Sequence, residues 1–270
     1  MYRHHRRIKP VALARSCWTF ERGDGFIVAD AIHTGHLIRP EVATLLLPDE
    51  AERLREEDSF TDRWAQLVPN HVIVHLSRFE VDMNRPRDKA VYQRSEDAWG
   101  IELYTRRPPA ALVRRSLAEY DAFYTFLQVY LDDIIRTPGG FLLLDFHSYN
   151  HKRDGTIAPE IENPEVNLGT GKMNRDRWSH VVDTFIDSMR TSREDGVETD
   201  VRENVRFFGG YLAEWVHDNY PKNGCALAIE FKKTFVDELT GTPDLEAIER
   251  IAQQIRTILP ALREAFLKAL

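Results

Sequence analysis

Phe141-Leu-Leu-Leu-Asp-Phe-His-Ser-Tyr-Asn150 is a run whose two halves differ in kind. Pro138-Gly139-Gly140 precedes it, four apolar residues open it, and Asp145, His147, Ser148 and Asn150 close it. A continuous apolar run after a glycine pair predicts a strand buried on both faces, the kind found in parallel sheets covered by helices. In open α/β sheets, ligands gather outside the carboxyl ends of the strands. Side chains alternate along a strand, so Asp145 and His147 share a face. His147 is therefore a candidate metal ligand at a strand end. A buried histidine held by a neighbouring carboxylate is the other reading of the same stretch.

Outward from this run, the pattern is strand, helix, strand. Ala111 to Arg136 predicts a long amphipathic helix, with Leu112, Leu117, Tyr120, Tyr124, Leu127 and Leu131 at helical steps. Its aromatic residues read as core. Before it, Asn70 to Arg78 is a β-branched strand running into a loop with Arg78, Asp82, Asn84 and Arg85. Arginine suits bidentate carboxylate recognition, so this loop suggests a binder of an acidic small molecule. A loop tied down by its own salt bridges is the plainer reading. Gly25 to His33 is an earlier strand, and His33 closes it as His147 closes the later one. His36 follows three residues on, a usable ligand spacing on a helical turn. Residues 41–57 read as helix interrupted at Pro48, and Asp62 could cap a helix or supply a hard oxygen ligand.

Beyond the central run, residues 163–171 read as a Gly/Asn-rich loop able to wall a site. Trp178 to Arg193 predicts a helix, and Val205 to Leu212 a short strand with a glycine pair. Cys225 to Lys233 predicts a strand carrying Glu230 near its end. Leu245 to Leu270 predicts a closing helix broken or kinked at Pro260.

The 270 residues suit one large α/β domain, residues 1–270, with 1–20 a basic N-terminal arm, because no linker or low-complexity stretch divides them. The formal net charge of -7 argues against a nucleic-acid partner. No apolar run approaches the ~20 residues of a membrane span. Two cysteines, Cys17 and Cys225, make no disulfide framework, which points to a cytoplasmic protein. The oligomeric state is not legible.

Several motifs in order resemble the N-formylglutamate amidohydrolase family. They are His33-Thr-Gly35, Thr61-Asp62, Ser77-Arg78-x-x-x-Asp82-x-Asn84-Arg85-Pro86, Leu144-Asp145-x-His147-Ser148, Asn167-Leu-Gly-Thr170, Gly209-Gly210-Tyr211 and Ile229-Glu230-Phe-Lys. The likeness runs from about residue 25 to 240. It implies a zinc carboxypeptidase-like α/β fold, a mixed and mostly parallel sheet between helices, holding one zinc ion. By motif position, His33 and His147 would be its imidazole ligands and Asp62 the third, with His36 as the rival. Zinc would activate a water, Glu230 would move its proton to the leaving amine, and Arg78 would stabilise the oxyanion. Asn84 and Arg85 would hold a substrate carboxylate, and Asp145 would orient a ligand. The implied reaction is hydrolysis of the N-formyl or N-acyl amide of an acidic amino acid such as N-formylglutamate. Trimming of small acidic peptides, or carboxylate binding without catalysis, are the alternatives on the same fold.

Overall fold

The computed structural model describes residues 17–137, 139–153, 156–157 and 159–270. Along the chain the strands are β1 (Trp18–Glu21), β2 (Ile27–Ala31), β3 (Asn70–Val74), β4 (Phe141–Tyr149), β5 (Lys152–Arg153), β6 (Thr156–Ile157), β7 (Val166–Gly169), β8 (Val201–Glu203) and β9 (Gly224–Lys232). The α-helices are α1 (Pro40–Ala43), α2 (Glu50–Glu56), α3 (Thr61–Ala65), α4 (Ala110–Ile135), α5 (Ser179–Arg190), α6 (Tyr211–Asn219) and α7 (Leu245–Ala269). Seven strands form one sheet in the order β1-β3-β2-β4-β9-β7-β8, while β5 and β6 make a small hairpin. β3, β2, β4 and β9 run parallel; β1 and β7 join them antiparallel. The result is a mixed, mostly parallel α/β sheet, as the resemblance implied.

β3 and β4 are buried at every position, the signature of strands covered on both faces. One group of helices packs α5 on α7 and α3 against β2, β4 and α7. Trp178 stacks on Phe266 of α7 with ring centroids 5.6 Å apart. In a second group, α4 meets α6 through Tyr124, whose ring lies 5.8 Å from Tyr211 and 5.2 Å from Trp215. Tyr120, Tyr124, Leu127 and Leu131 of α4 are all core residues.

Four expectations need correction. Residues 163–171 contain a strand, β7, because Asn167 uses its side chain to organise the neighbouring chain. Its Oδ1 accepts from the backbone N–H of Val205 and Arg206, and its Nδ2 donates to Phe207 O. That arrangement also removes the strand expected at Val205 to Leu212; the strand lies earlier, at β8, and residues 205–210 are irregular. α7 runs through Pro260 without a break. Proline removes one backbone bond, but apolar burial of Ile255, Ile258, Leu262 and Phe266 around it outweighs that loss. The basic arm expected over 1–20 falls outside the described residues as far as 16, and Trp18–Glu21 form edge strand β1. Among the described residues no helix is long and apolar enough to cross a membrane, and both cysteines are free.

Candidate active site and metal centre

The sheet register assembles the site. β4 pairs Asp145 with Asp30 on β2, and His147 with Glu230 on β9. His33 follows β2 by two residues, so both histidines stand at the carboxyl ends of adjacent parallel strands. Their rings are 4.9 Å apart and both side chains are buried.

The third member comes from the chain between α2 and α3. Its backbone leaves α2 extended at Glu57, and Asp58 N donates to His33 O at 2.9 Å. Phe60 then takes the left-handed conformation, φ 73°, to turn into α3. A bulky residue there costs about 1–2 kcal/mol, so the surrounding contacts must hold the turn. Asp58 Oδ2 lies 2.9 Å from His147 Nδ1 and 3.4 Å from His33 Nδ1. One ligand atom from each of His33, Asp58 and His147 falls within 4.8 Å of the others.

This donor set fits a zinc-type ion. Two imidazole nitrogens and a carboxylate oxygen are ligands such sites use, and three protein ligands leave a position open. The far side of each imidazole faces a buried carboxylate: His33 Nε2 is 2.6 Å from Asp82 Oδ1, and His147 Nε2 is 2.7 Å from Asp145 Oδ1. Such carboxylates fix the ring tautomer and orient the other nitrogen toward a metal. The Asp145 contact is close but off the line of a good hydrogen bond.

Charge is concentrated here. Burial works against a charge on His147, but Asp145 and Asp58 outweigh it and raise its pKa well above the usual value. Burial would raise Asp58, yet the bonds from His147 and His33 hold it below the ordinary carboxylate range. Burial, reinforced by the charge of Asp145, lifts Asp30 so that it keeps its proton. Burial would raise Asp145 as well, but His147 and Asp30 hold it below its usual value. Burial also pushes Glu230 up to about 8; His147 opposes this, while Asp58 and Asp145 add to it.

Asp82 is the hub of the arginine loop. It accepts from His33 Nε2, Arg78 Nη2 at 3.2 Å, the Tyr92 hydroxyl and the Asn84 backbone N–H at 2.8 Å. Arg85 Nε lies 3.5 Å from it. Arg78 also donates to Glu56 O and Tyr92, and stacks 4.8 Å from the Trp99 ring. Asn84 is less free than expected for a substrate ligand. Its Oδ1 accepts from Leu212 N at 2.9 Å, and its Nδ2 lies 3.2 Å from His147 Nε2. It fixes the start of α6 beside the histidine. Gly210 makes this approach feasible, since a Cβ there would sit 2.2 Å from Asn84 Nδ2.

His33, Asp58, Arg78, Asp82, Asn84, Arg85, His147 and Glu230 line one cavity of about 660 Å³. Asp62 does not join them. It accepts from Thr34 Oγ1 at 3.2 Å and lines a different cavity of about 950 Å³. His36 belongs to that second cavity too, with Nδ1 2.5 Å from Glu57. The two cavities share a wall whose side chains alternate: Glu56 and Asp58 face the histidines, and Arg55, Glu57 and Ser59 face away. The larger cavity contains neither histidine of the cluster, so chemistry and not size identifies the site. Asp58 thus stands where Asp62 was expected. The sequence offers Asp-x-x-x-Asp and no spacing rule to separate its two ends. The left-handed turn at Phe60 and the start of α3 at Thr61 make the difference. Arg206 also lines the site cavity and carried no sequence signal of its own.

Comparison with known proteins agrees with this geometry. A crystal structure of N-formylglutamate amidohydrolase from Ralstonia eutropha JMP134 superposes with a TM-score of 0.72 at 16% identity, covering 94% of this chain and 99% of that one. A gene product from Agrobacterium tumefaciens superposes with a TM-score of 0.62 at 16% identity, covering 94% of each chain. At such identities the likeness is one of fold. No curated protein sequence matches the chain. The family profile described as N-formylglutamate amidohydrolase matches residues 26–236, a span that holds every residue of the cluster, and the chain belongs to that family of hydrolases acting on carbon–nitrogen amide bonds.

Proposed function

We propose that the protein is a zinc-dependent amidohydrolase that removes the N-formyl or another N-acyl group from an acidic amino acid, N-formylglutamate being the reference substrate. The observation that carries this reading is the buried His33, Asp58 and His147 group opening on a cavity that Glu230 and three arginines share.

One ion held by His33, Asp58 and His147 would supply Lewis acidity toward the acyl oxygen and toward water. The remaining work falls to side chains. Glu230 stands beside His147 in the sheet register and keeps its proton up to about pH 8 in the metal-free site. In its ionised form the carboxylate can take a proton from water and return it to the departing nitrogen. Arg78 is held rigidly by Asp82, Tyr92 and Glu56 O and presents its charge to the same cavity, placed to receive the oxyanion. Arg85 accounts for the substrate carboxylate, through charge-assisted hydrogen bonds. Asn84 serves by fastening the start of α6 beside His147. Asp82 and Asp145 orient the two imidazoles.

The test is turnover of N-formylglutamate, N-acetylglutamate and a glutamate dipeptide by zinc-loaded and chelator-stripped protein. Hydrolysis of the formyl or acetyl compound should vanish on stripping and return with zinc. Glu230→Gln should keep its zinc and lose about 10²–10⁴-fold in kcat. Full activity in stripped protein, or a Glu230→Gln variant as fast as the parent, would overturn the mechanism.

A further inference from the structure

We propose that Arg206 is a specificity-determining residue that binds the side-chain carboxylate of a dicarboxylic substrate, leaving the carboxylate next to the scissile amide to Arg85. This rests on the amidohydrolase reading above and names the group that would select an acidic side chain.

Three guanidinium groups line the site cavity, and they differ in what neutralises them. Arg78 and Arg85 share one carboxylate, Asp82. Arg206 has no carboxylate partner among the described residues. Its side chain makes one polar contact, Nη1 to Asn163 Oδ1 at 2.5 Å. In a chain of formal net charge -7, an arginine left without a counter-ion inside a polar cavity stands out.

The side chain is also built into place. Its Cζ lies 5.1 Å from the centre of the Tyr149 ring and 5.7 Å from that of Phe207. Tyr149 is itself anchored by its hydroxyl to Pro164 O. Asn163 is buried and donates to Pro159 O. The backbone N–H of Arg206 donates to Asn167 Oδ1 at 2.8 Å. Stacking on aromatic faces fixes the plane of a guanidinium, and that plane is what a carboxylate reads bidentately. Arg206 thus has rigidity and spare donors together.

The division of labour follows from the loops. Arg85 sits on the segment that carries Asp82 against His33, so it adjoins the reacting end. Arg206 stands over Tyr149, two residues past His147 and on a different loop. A glutamate-type substrate has one carboxylate beside its amide nitrogen and a second at the end of a flexible chain. Two cationic groups on two loops match that arrangement, and a monocarboxylate would leave Arg206 unused.

The experiment compares N-formylglutamate with N-formylglutamine, which has the same shape without the second charge. Arg206→Gln and Arg206→Lys are assayed on both. We expect kcat/KM for N-formylglutamate to fall about 10–100-fold in Arg206→Gln, with a smaller loss in Arg206→Lys. The value for N-formylglutamine should change less than about threefold in either variant. Equal losses on the two substrates, or no loss on the glutamate compound, would overturn the proposal. Calorimetric binding of glutarate and butyrate to the parent and Arg206→Gln gives a readout free of catalysis. Preference for glutarate that disappears in the variant supports Arg206 even if no N-formyl compound is hydrolysed; equal binding of both acids to the parent overturns it.

Discussion

Replacing Asp82 with asparagine removes the charge that joins the arginine loop to the histidine cluster. The residue is fully buried and accepts four hydrogen bonds. Oδ1 serves His33 Nε2 and the Asn84 N–H; Oδ2 serves Arg78 and Tyr92. An amide keeps one oxygen and makes the other position a donor. With the oxygen kept toward His33, the Arg78 and Tyr92 donors each lose an acceptor. A buried donor left unpaired costs about 1–3 kcal/mol, more for a charged one, so the expected loss of stability is about 4 kcal/mol. The bond to His33 survives but loses its charge assistance, which should weaken zinc binding by about 10–100-fold. Urea unfolding of metal-free protein measures the first quantity, and calorimetric titration with zinc the second. Asp121→Asn is the control, because its bond to Arg87 lies at the surface, where solvent screens it. If Asp82→Asn were destabilised no more than that control and bound zinc as tightly as the parent, Asp82 would not be the hub argued here.

The third ligand can be decided directly. Asp58→Asn should lose zinc as measured by mass spectrometry of the intact protein, and Asp62→Asn should keep it; the reverse pattern would restore Asp62. His36 offers a test of pH dependence. Its bond to Glu57 raises its pKa above the usual histidine value, against a smaller opposing effect of burial. A raised folded-state pKa stabilises the fold fully below the unfolded value of about 6.5 and loses that contribution as pH rises through the folded value. The stability gap between the parent and His36→Gln should therefore be largest at mildly acid pH and shrink as the solution becomes alkaline. A gap that grows with pH would refute the pairing.

Much of the architecture was legible because buried strands advertise themselves. Phe141 to Leu144 is apolar without interruption since both faces of β4 are covered, and β2 and β9 read similarly for the same reason. The histidines were legible because each closes such a strand. The misreadings have a common origin in side chains that replace backbone pairing. Asn167 fastens residues 205–207 with its amide, so β7 resembled a loop and the loop after β8 resembled a strand. Asn84 was expected to hold a substrate carboxylate; it lines the cavity, and its Oδ1 accepts from Leu212 at the start of α6.

The linear order of residues by itself determined the α/β class, the strands that carry His147 and Glu230, the strand that leads into His33, and the loop that carries Arg78 and Arg85. These depend on local periodicity and on which residues end a buried strand, both written along the chain. Which carboxylate completes the cluster, and which arginine of the site cavity has no carboxylate partner among the described residues, depended on the folded chain. Asp58 and Asp62 are four residues apart yet face different cavities, because one left-handed residue turns the backbone between them. Arg206 acquires its setting from Tyr149 and Asn163, more than forty residues earlier, and no local pattern encodes a neighbour brought in by the sheet.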